Sequence, residues 1–403
     1  MEELERLAES ADYTVAGRME QIREGDARYQ IGIGKVQELA QLVKETKAEK
    51  VIFDNPLKPI QAYNLAKATG VENIDRFQLI LEIFTKRATT TEAQMQIKLA
   101  KLQRDLAQAK EKVRLAKKGE QPGFMGLGAY EADVYRESVK KEVHAIRRKL
   151  KRIRGKRILH RKRRAELGFP TISLSGYTNA GKSSLFNTLT EEKVRVENSL
   201  FTTLSTTTRL IEISKKKFLL IDTVGFIDRL PLTLIEAFHS TLEETICADL
   251  ILLVVDVSEP AETIQKKLAV CSETIERIGA AGIPLITVLN KMDLTNQTEI
   301  EHKLNALKTS LSKSIALSAL KGTNLNLLKS RILAELSDFV KASFTVPMTP
   351  QAMPFISWLF KNTDVQAIDY SENAAHVIFE SNPELAEIVR NRVERLDGKF
   401  EKK

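Results

Sequence analysis

The spacing of apolar positions changes character along the 403 residues and divides the chain into four stretches. Over residues 1–88 short apolar runs alternate with amphipathic stretches. "VIFDN" at 51–55 reads as a strand, and "PIQAYNLAKATG" at 59–70 as a helix opened near Pro59 and closed by Gly70. "LILEIFTKRA" at 79–88 has helical periodicity, and "IGIGK" at 31–35 reads as a turn ahead of the helix "VQELAQLV". A small α/β domain is expected here.

From 91 to 118 glycine and proline are absent, and Met95, Leu99, Leu102, Leu106, Ala109, Val113 and Ala116 recur at alternating spacings of four and three. That heptad spacing predicts a long helix with one apolar seam. "KKGEQPGFMGLGAY" at 117–130 breaks it, and Val139, Val143, Ile146, Leu150 and Ile153 then repeat the alternation. Two heptad helices around a breaker predict an antiparallel hairpin in preference to a long parallel dimer. The seams can then satisfy each other within one chain, so a monomer is expected. Residues 166–343 alternate strands and helices in the βαβ manner, and 344–403 read as strand, helix, strand, strand, helix. The fold class is therefore α/β: a domain with a mostly parallel sheet at 166–343, preceded by the α/β domain at 1–88 and the hairpin at 89–165, and followed by a small α+β domain at 344–403.

Composition changes this picture at three points. The net charge of +9 makes a polyanionic partner plausible. The charge concentrates in "RRKLKRIRGKRILHRKRR" at 147–164, which contains no acidic residue. Such a run repels itself unless something anionic covers it, so contact with RNA backbone is expected rather than a merely solvated helix face. The two cysteines, Cys247 and Cys271, lie in apolar surroundings and are expected to be buried thiols, as in a reducing compartment. The five histidines lack ligand spacing, the N-terminus does not read as a secretory signal, and "ADLILLVVDV" at 248–257 is too short to span a bilayer. A cytoplasmic protein without a membrane anchor is expected.

The candidate chemistry begins at Gly176-x-x-x-x-Gly181-Lys182-Ser183, the P-loop spacing, with a strand leading in and a helix leading out. Backbone N–H groups of Gly176, Tyr177, Thr178, Asn179, Ala180 and Gly181 can close around a phosphate at a helix N-terminus. Lys182 can bridge the β- and γ-phosphates, and the Ser183 hydroxyl can ligate Mg²⁺. "FLLIDTVG" at 218–225 reads as a strand ending in Asp222-Thr223-Val224-Gly225. Asp222 can hold Mg²⁺ through water, and the Gly225 amide can sense the γ-phosphate. "PLITVLNKMD" at 284–293 ends in Asn290-Lys291-Met292-Asp293. A carboxylate at Asp293 accepts from two guanine protons, whereas adenine would leave that charge unpaired. Ser318-Ala319-Leu320 can offer backbone to guanine O6. GTP, GDP and Mg²⁺ are the cofactors this set predicts, and GTP hydrolysis the reaction. "LFTTLSTTTRL" at 200–210 holds a threonine able to cap Mg²⁺, but spacing does not say which.

"GYTNAGKSSLFN", "LFTTLSTTTR", "DTVGFIDRLP", "AFHSTLEE" and "NKMD", preceded by "VIFDNPLKPIQAYNL" and "IDRFQLILEIFTKRA", closely resemble the HflX family of ribosome-associated GTPases. The likeness covers nearly all of residues 1–343. It implies binding to the large ribosomal subunit, with the N-terminal region and the hairpin reaching rRNA near the peptidyl transferase centre. It also implies a role, in some members, in splitting stalled or idle ribosomes under stress. Thr203 matches the family's Mg²⁺-capping, catalytic threonine, and Phe201, Thr202, Leu204 and Ser205 match the surrounding nucleotide contacts. Many members have Asp-Pro where this chain has Ser205-Thr206, and a Gly-Pro-Gly-Glu run where it has "GEQPGFMGLGAYEAD". These departures point to a divergent, archaeal branch.

Phe226 follows Gly225, where Ras-like enzymes carry a glutamine that orients the attacking water. Intrinsic hydrolysis at roughly 10⁻⁴ s⁻¹ or modestly above is expected, with the ribosome completing the site. The alternative from a different class is a nucleotide-gated RNA-remodelling protein acting away from ribosomes.

Overall fold

The structure, a computed structural model, describes residues 2–117, 129–166, 169–190, 207–228, 244–307, 313–336, 339–371, 373–381 and 383–402. These fall into two compact units, one running to Ile153 and one from Arg154 onward.

The first unit holds α1 (Glu2–Ser10), α2 (Ile33–Thr46), β1 (Lys50–Phe53), α3 (Pro59–Thr69), β2 (Glu72–Asp75), α4 (Arg76–Arg87), α5 (Thr91–Lys117) and the start of α6 (Ala129–Glu166). The "IGIGK" stretch is not wholly a turn, because α2 already begins at Ile33. β1 and β2 pair in parallel, and Val36, Leu39, Val43, Leu57 and Leu65 form a buried core beneath partly covered Val51 and Phe53. Pro59 at the start of α3 and left-handed Gly70 at its end bound that helix where expected. β2, with the polar sequence "ENID", carries no apolar alternation that would announce it.

Asp75 closes β2 and caps α4. Its carboxylate accepts from the backbone N–H of Gln78 at 3.0 Å and of Leu57 at 3.1 Å. It also accepts both arms of the Arg104 guanidinium from α5, at 2.8 and 2.6 Å. One buried carboxylate thus joins the loop after β1, the start of α4 and the long helix. The α5–α6 hairpin closes along the expected seam. Leu99, Val139, Val143 and Ile146 are buried, with Met95, Leu102, Leu106 and Leu150 against them, and Lys98 pairs with Glu142 at 2.5 Å. The side chains at the heptad positions Ala109, Val113 and Ala116 lie outside the described residues.

The second unit contains β3 (Thr171–Gly176), α7 (Lys182–Thr190), β4 (Thr207–Ile213), β5 (Lys216–Asp222), β6 (Leu250–Asp256), β7 (Leu285–Asn290) and β8 (Ser314–Ala316). They form one sheet in the order β4-β5-β3-β6-β7-β8, parallel except for the antiparallel β4–β5 pair. Near-continuous apolar runs such as "LILLVV" in β6 are buried, as expected for parallel strands covered on both faces. The register places Leu174 opposite Asp222, Gly176 opposite Val254, and Asp256 opposite Asn290. All the chemistry-bearing loops therefore leave one edge of the sheet, at the strand C-termini.

After Leu325–Glu335 come β9 (Val340–Pro347), the helix Ala352–Asn362, β10 (Asp364–Tyr370), β11 (Ala374–Ser381), the helix Pro383–Glu394 and β12 (Lys399–Lys402). The four strands form an antiparallel sheet ordered β10-β11-β9-β12, with Phe344, Val346, Val377 and Phe379 facing Phe355, Ile356, Leu359, Val389 and Val393. β12 is an addition to the element order read from the sequence, and it completes a split-βαβ arrangement. This domain is docked on the β4–β5 hairpin. The Lys216 ammonium lies 3.8 Å from the Phe339 ring centre and pairs with Glu380 at 2.9 Å, and Lys217 donates to the Lys361 carbonyl.

Removing Asp75 leaves the Arg104 guanidinium partly buried without its carboxylate and strips the cap from α4. Asp75→Ala is expected to destabilise the first unit by about 3–5 kcal/mol, read as a lowered unfolding midpoint by calorimetry. An unchanged midpoint would show that the pair contributes nothing net.

Candidate nucleotide site

Residues 176–183 leave the end of β3, turn, and enter α7. Gly176 has φ 143° and its missing Cβ would lie 2.2 Å from the Val254 carbonyl oxygen of the neighbouring strand. At Gly181, φ is 94° and a Cβ would come within 2.1 Å of the Asn290 amide nitrogen. Both positions exclude any side chain, so these two glycines are fixed by what lies behind them. Asn179 takes a left-handed conformation, φ 62°, between them.

The Lys182 side chain is buried and curls over its own loop, donating to the carbonyl oxygens of Gly176 at 3.2 Å and Tyr177 at 2.9 Å. Burial lowers its pKa, and the charge of Asp222 opposes that shift. A polyphosphate beside this ammonium would restore the preference for the charged form. At the next residue, the Ser183 hydroxyl donates to the Asp222 carboxylate at 3.0 Å. A hydroxyl and a carboxylate side by side, both hard oxygen donors, suit Mg²⁺. Among the described residues no cluster of three His, Cys, Asp or Glu could hold a metal, and Mg²⁺ characteristically combines few protein ligands with waters and substrate phosphates.

The segment after β5 is laid against the P-loop. Thr178 N–H donates to the Phe226 carbonyl at 2.8 Å, and Phe226 N–H to the Gly176 carbonyl at 3.0 Å. Thr223 donates its hydroxyl to the Leu174 carbonyl at 2.6 Å, and Val224 is buried. A Cβ on Gly225 would sit 2.8 Å from both Lys182 Nζ and Thr178 Cγ2, so the three residues converge on one point. The Phe226 side chain is 2% exposed and belongs to the interior rather than to the site.

On the far side, Asn290 is buried and joins three loops. Its amide nitrogen donates to the Ala180 carbonyl at 3.0 Å, and its amide oxygen accepts the Ala319 N–H at 2.9 Å. Thr188 of α7 donates to the Ala319 carbonyl at 2.9 Å. Lys291, left-handed at φ 65°, pairs with Asp256 at 2.6 Å. Met292 and Asp293 lie in the short 3₁₀ turn that follows, with the Asp293 carboxylate exposed. Ser318 is buried, its backbone paired both ways with Thr323 and its hydroxyl accepting the Lys321 N–H at 3.0 Å. Leu320 is 81% exposed at the loop tip.

Thus Gly176, Tyr177, Thr178, Asn179, Ala180, Gly181, Lys182, Ser183, Asp222, Thr223, Val224, Gly225, Asn290, Lys291, Met292, Asp293, Ser318, Ala319 and Leu320 gather on one edge of the sheet. Phe201, Thr202, Thr203, Leu204 and Ser205 lie outside the described residues. Three partners were not legible beforehand: Thr188, Asp256 and the Tyr177 hydroxyl, which accepts the Asp228 N–H at 2.7 Å. Asp256 had a usable signal, a carboxylate ending the strand beside the one that ends in Asn290. The cysteines divide. Cys271 is buried behind the loop, where burial pushes its thiol up to about 12, but Cys247 is exposed, against expectation.

Residues 1–85 match the family described as GTP-binding GTPase N-terminal, 87–164 the GTP-binding GTPase middle region, and 171–291 the 50S ribosome-binding GTPase. GTPase HflX of Methanocaldococcus jannaschii is 46% identical over 94% of this chain and 92% of its own length. The chain belongs to the GTPase HflX family. HflX of Thermococcus kodakarensis is 41% identical over 92% of this chain and 86% of its own, and HflX of Escherichia coli 36% over 80% and 75%. As an HflX GTPase, the chain binds GTP and GDP and hydrolyses GTP.

The Gly225 geometry yields a test. Gly225→Ala puts a methyl group against Lys182 and Thr178 and forces the segment off the loop. GTP turnover is expected to fall roughly tenfold or more, with GDP affinity, measured by a fluorescent analogue, changed far less. Equal losses in both would mean that the substitution damages the loop itself.

Proposed function

We propose that this chain is a GTP-switched, cytoplasmic, monomeric factor of the large ribosomal subunit, with a role in splitting or rescuing ribosomes under stress. The observation that carries the reading is the exposed basic face of α6. Arg147, Arg148, Lys149, Lys151 and Arg152 all point to solvent on a helix whose apolar seam is already used against α5. A face so dense in cations and not consumed by packing fits a phosphate backbone. The description of the family matched by residues 171–291, 50S ribosome-binding GTPase, supports the same partner.

In this reading the loop amides from Gly176 to Gly181 hold the β-phosphate at the N-terminus of α7. Lys182 leaves the two carbonyls it now bonds and spans the β- and γ-phosphates. Ser183 and, through water, Asp222 would hold Mg²⁺, with Thr203 as the capping and catalytic threonine. The ion, when bound, neutralises charge on the transferred phosphoryl group. Gly225 N–H faces the γ-phosphate, and Asp293 reads guanine while Ser318, Ala319 and Leu320 offer backbone to its O6. Asn290 keeps these loops in register. Because Phe226 is buried, no side chain at that position can orient water, so the ribosome supplies the missing alignment. Bound GTP favours the subunit-bound state, and hydrolysis releases it.

Hydrolysis is expected to rise roughly tenfold or more with purified large subunits, and the effect should shrink as salt increases. Equal stimulation by any bulk RNA, or none by subunits, would favour RNA remodelling away from the ribosome instead. Asp293→Asn is expected to weaken GTP binding roughly a hundredfold while improving binding of xanthosine triphosphate. Unchanged guanine preference in a nucleotide competition assay would remove Asp293 from the base pocket.

A further inference from the structure

The segment after Gly225 is fastened to the P-loop by three consecutive hydrogen bonds, and one of them comes from a side chain. Thr178 N–H to Phe226 O at 2.8 Å and Phe226 N–H to Gly176 O at 3.0 Å are main-chain rungs. The third is the Asp228 N–H donated to the Tyr177 phenol oxygen at 2.7 Å. The Tyr177 ring is itself held. The Lys267 ammonium, from the helix Ala261–Arg277, lies 4.8 Å from the ring centre, and Glu259 clamps that ammonium at 2.5 and 2.6 Å. The Tyr177 carbonyl meanwhile accepts from Lys182 Nζ at 2.9 Å. One residue therefore touches the phosphate-loop lysine through its backbone and the segment beyond Gly225 through its side chain.

We propose that Tyr177 is a positioning residue for GTP hydrolysis, its hydroxyl setting where the backbone of 225–228 stands relative to Lys182. A space-filling role does not account for the hydroxyl, since phenylalanine would occupy the same interior. The demand for such a fastener follows from Phe226. A GTPase with glutamine there places the water by a side chain, whereas the buried Phe226 leaves that position with its backbone alone to present. That backbone is useful only where it is held, and Tyr177 holds the end that the two main-chain rungs do not reach. The inference rests on nucleotide binding at this loop and not on the ribosomal partner. Its test uses the full chain without ribosomes, so it fails or stands apart from the ribosomal reading.

Tyr177→Phe removes one oxygen and leaves the ring beneath Lys267. Three quantities are read: amide exchange of fragments covering 226–228 by mass spectrometry, GDP affinity with a fluorescent analogue, and single-turnover GTP hydrolysis. Losing one neutral hydrogen bond is expected to speed exchange at 226–228 about fivefold and to slow hydrolysis about three- to tenfold. GDP affinity is expected to stay within about twofold. Unchanged hydrolysis would overturn the proposal whatever the exchange shows. A loss of GDP affinity equal to the loss of rate would also overturn it, because Tyr177 would then merely support the fold of the loop.

Discussion

The amide of Asn290 carries the geometric burden of the site. It is one planar group with a donor and an acceptor on opposite arms, held at the end of an interior strand. Its donor meets the P-loop at Ala180 and its acceptor meets Ala319, so one carboxamide and its two hydrogen bonds set the spacing between those two loops. The missing side chain at Gly181 is the counterpart of this bond, because the amide occupies the space a Cβ would need. Inside a protein such paired bonds strengthen, and an unpaired arm is costly. The loops after β3, β7 and β8 are thus indexed to one another by protein bonds.

The same economy governs what stands after Gly225. The buried Phe226 gives the interior an aromatic group and leaves the site without a glutamine to place water. What the chain retains is alignment: converging contacts at Gly225, a lysine held in reserve and a backbone fastened at three points. In the first unit, packing and charge are divided just as sharply. The apolar stripe of α6 is spent on α5, while the arginines and lysines on its other faces are left to solvent.

The clustering of the candidate motifs was largely legible because each lies at a strand end, where spacing and element type point the same way. The P-loop, Asp222 to Gly225, Asn290 to Asp293 and Ser318 to Leu320 all emerge on the expected edge. What stayed hidden depends on contacts distant in sequence. Asp75 finds Arg104 twenty-nine residues away, and Tyr177 finds Asp228 fifty-one away, with no local pattern to betray either. β2 and β12 were missed for a related reason. "ENID" is stabilised by side-chain hydrogen bonds, Asn73 donating to Thr69 at 2.9 Å, rather than by apolar alternation. "KFEK" offers a single buried-facing residue, Phe400, against the core of its sheet. Cys247 sits beside apolar neighbours yet remains exposed, because adjacency in sequence does not establish which face a residue takes.

The turn between β4 and β5 places two ordinary residues, Ser214 and Lys215, in the left-handed region, at φ 49° and 64°. Tight hairpins favour that twist but normally assign it to glycine or asparagine, and each substitute costs about 1–2 kcal/mol. The following lysines, Lys216 and Lys217, are the residues that grip the C-terminal domain through Phe339, Glu380 and the Lys361 carbonyl. The hairpin and that domain are therefore not interchangeable parts. A C-terminal domain grafted from another protein would inherit a strained turn whose basic residues have nothing to clasp, and the graft would have to bring its own hairpin with it.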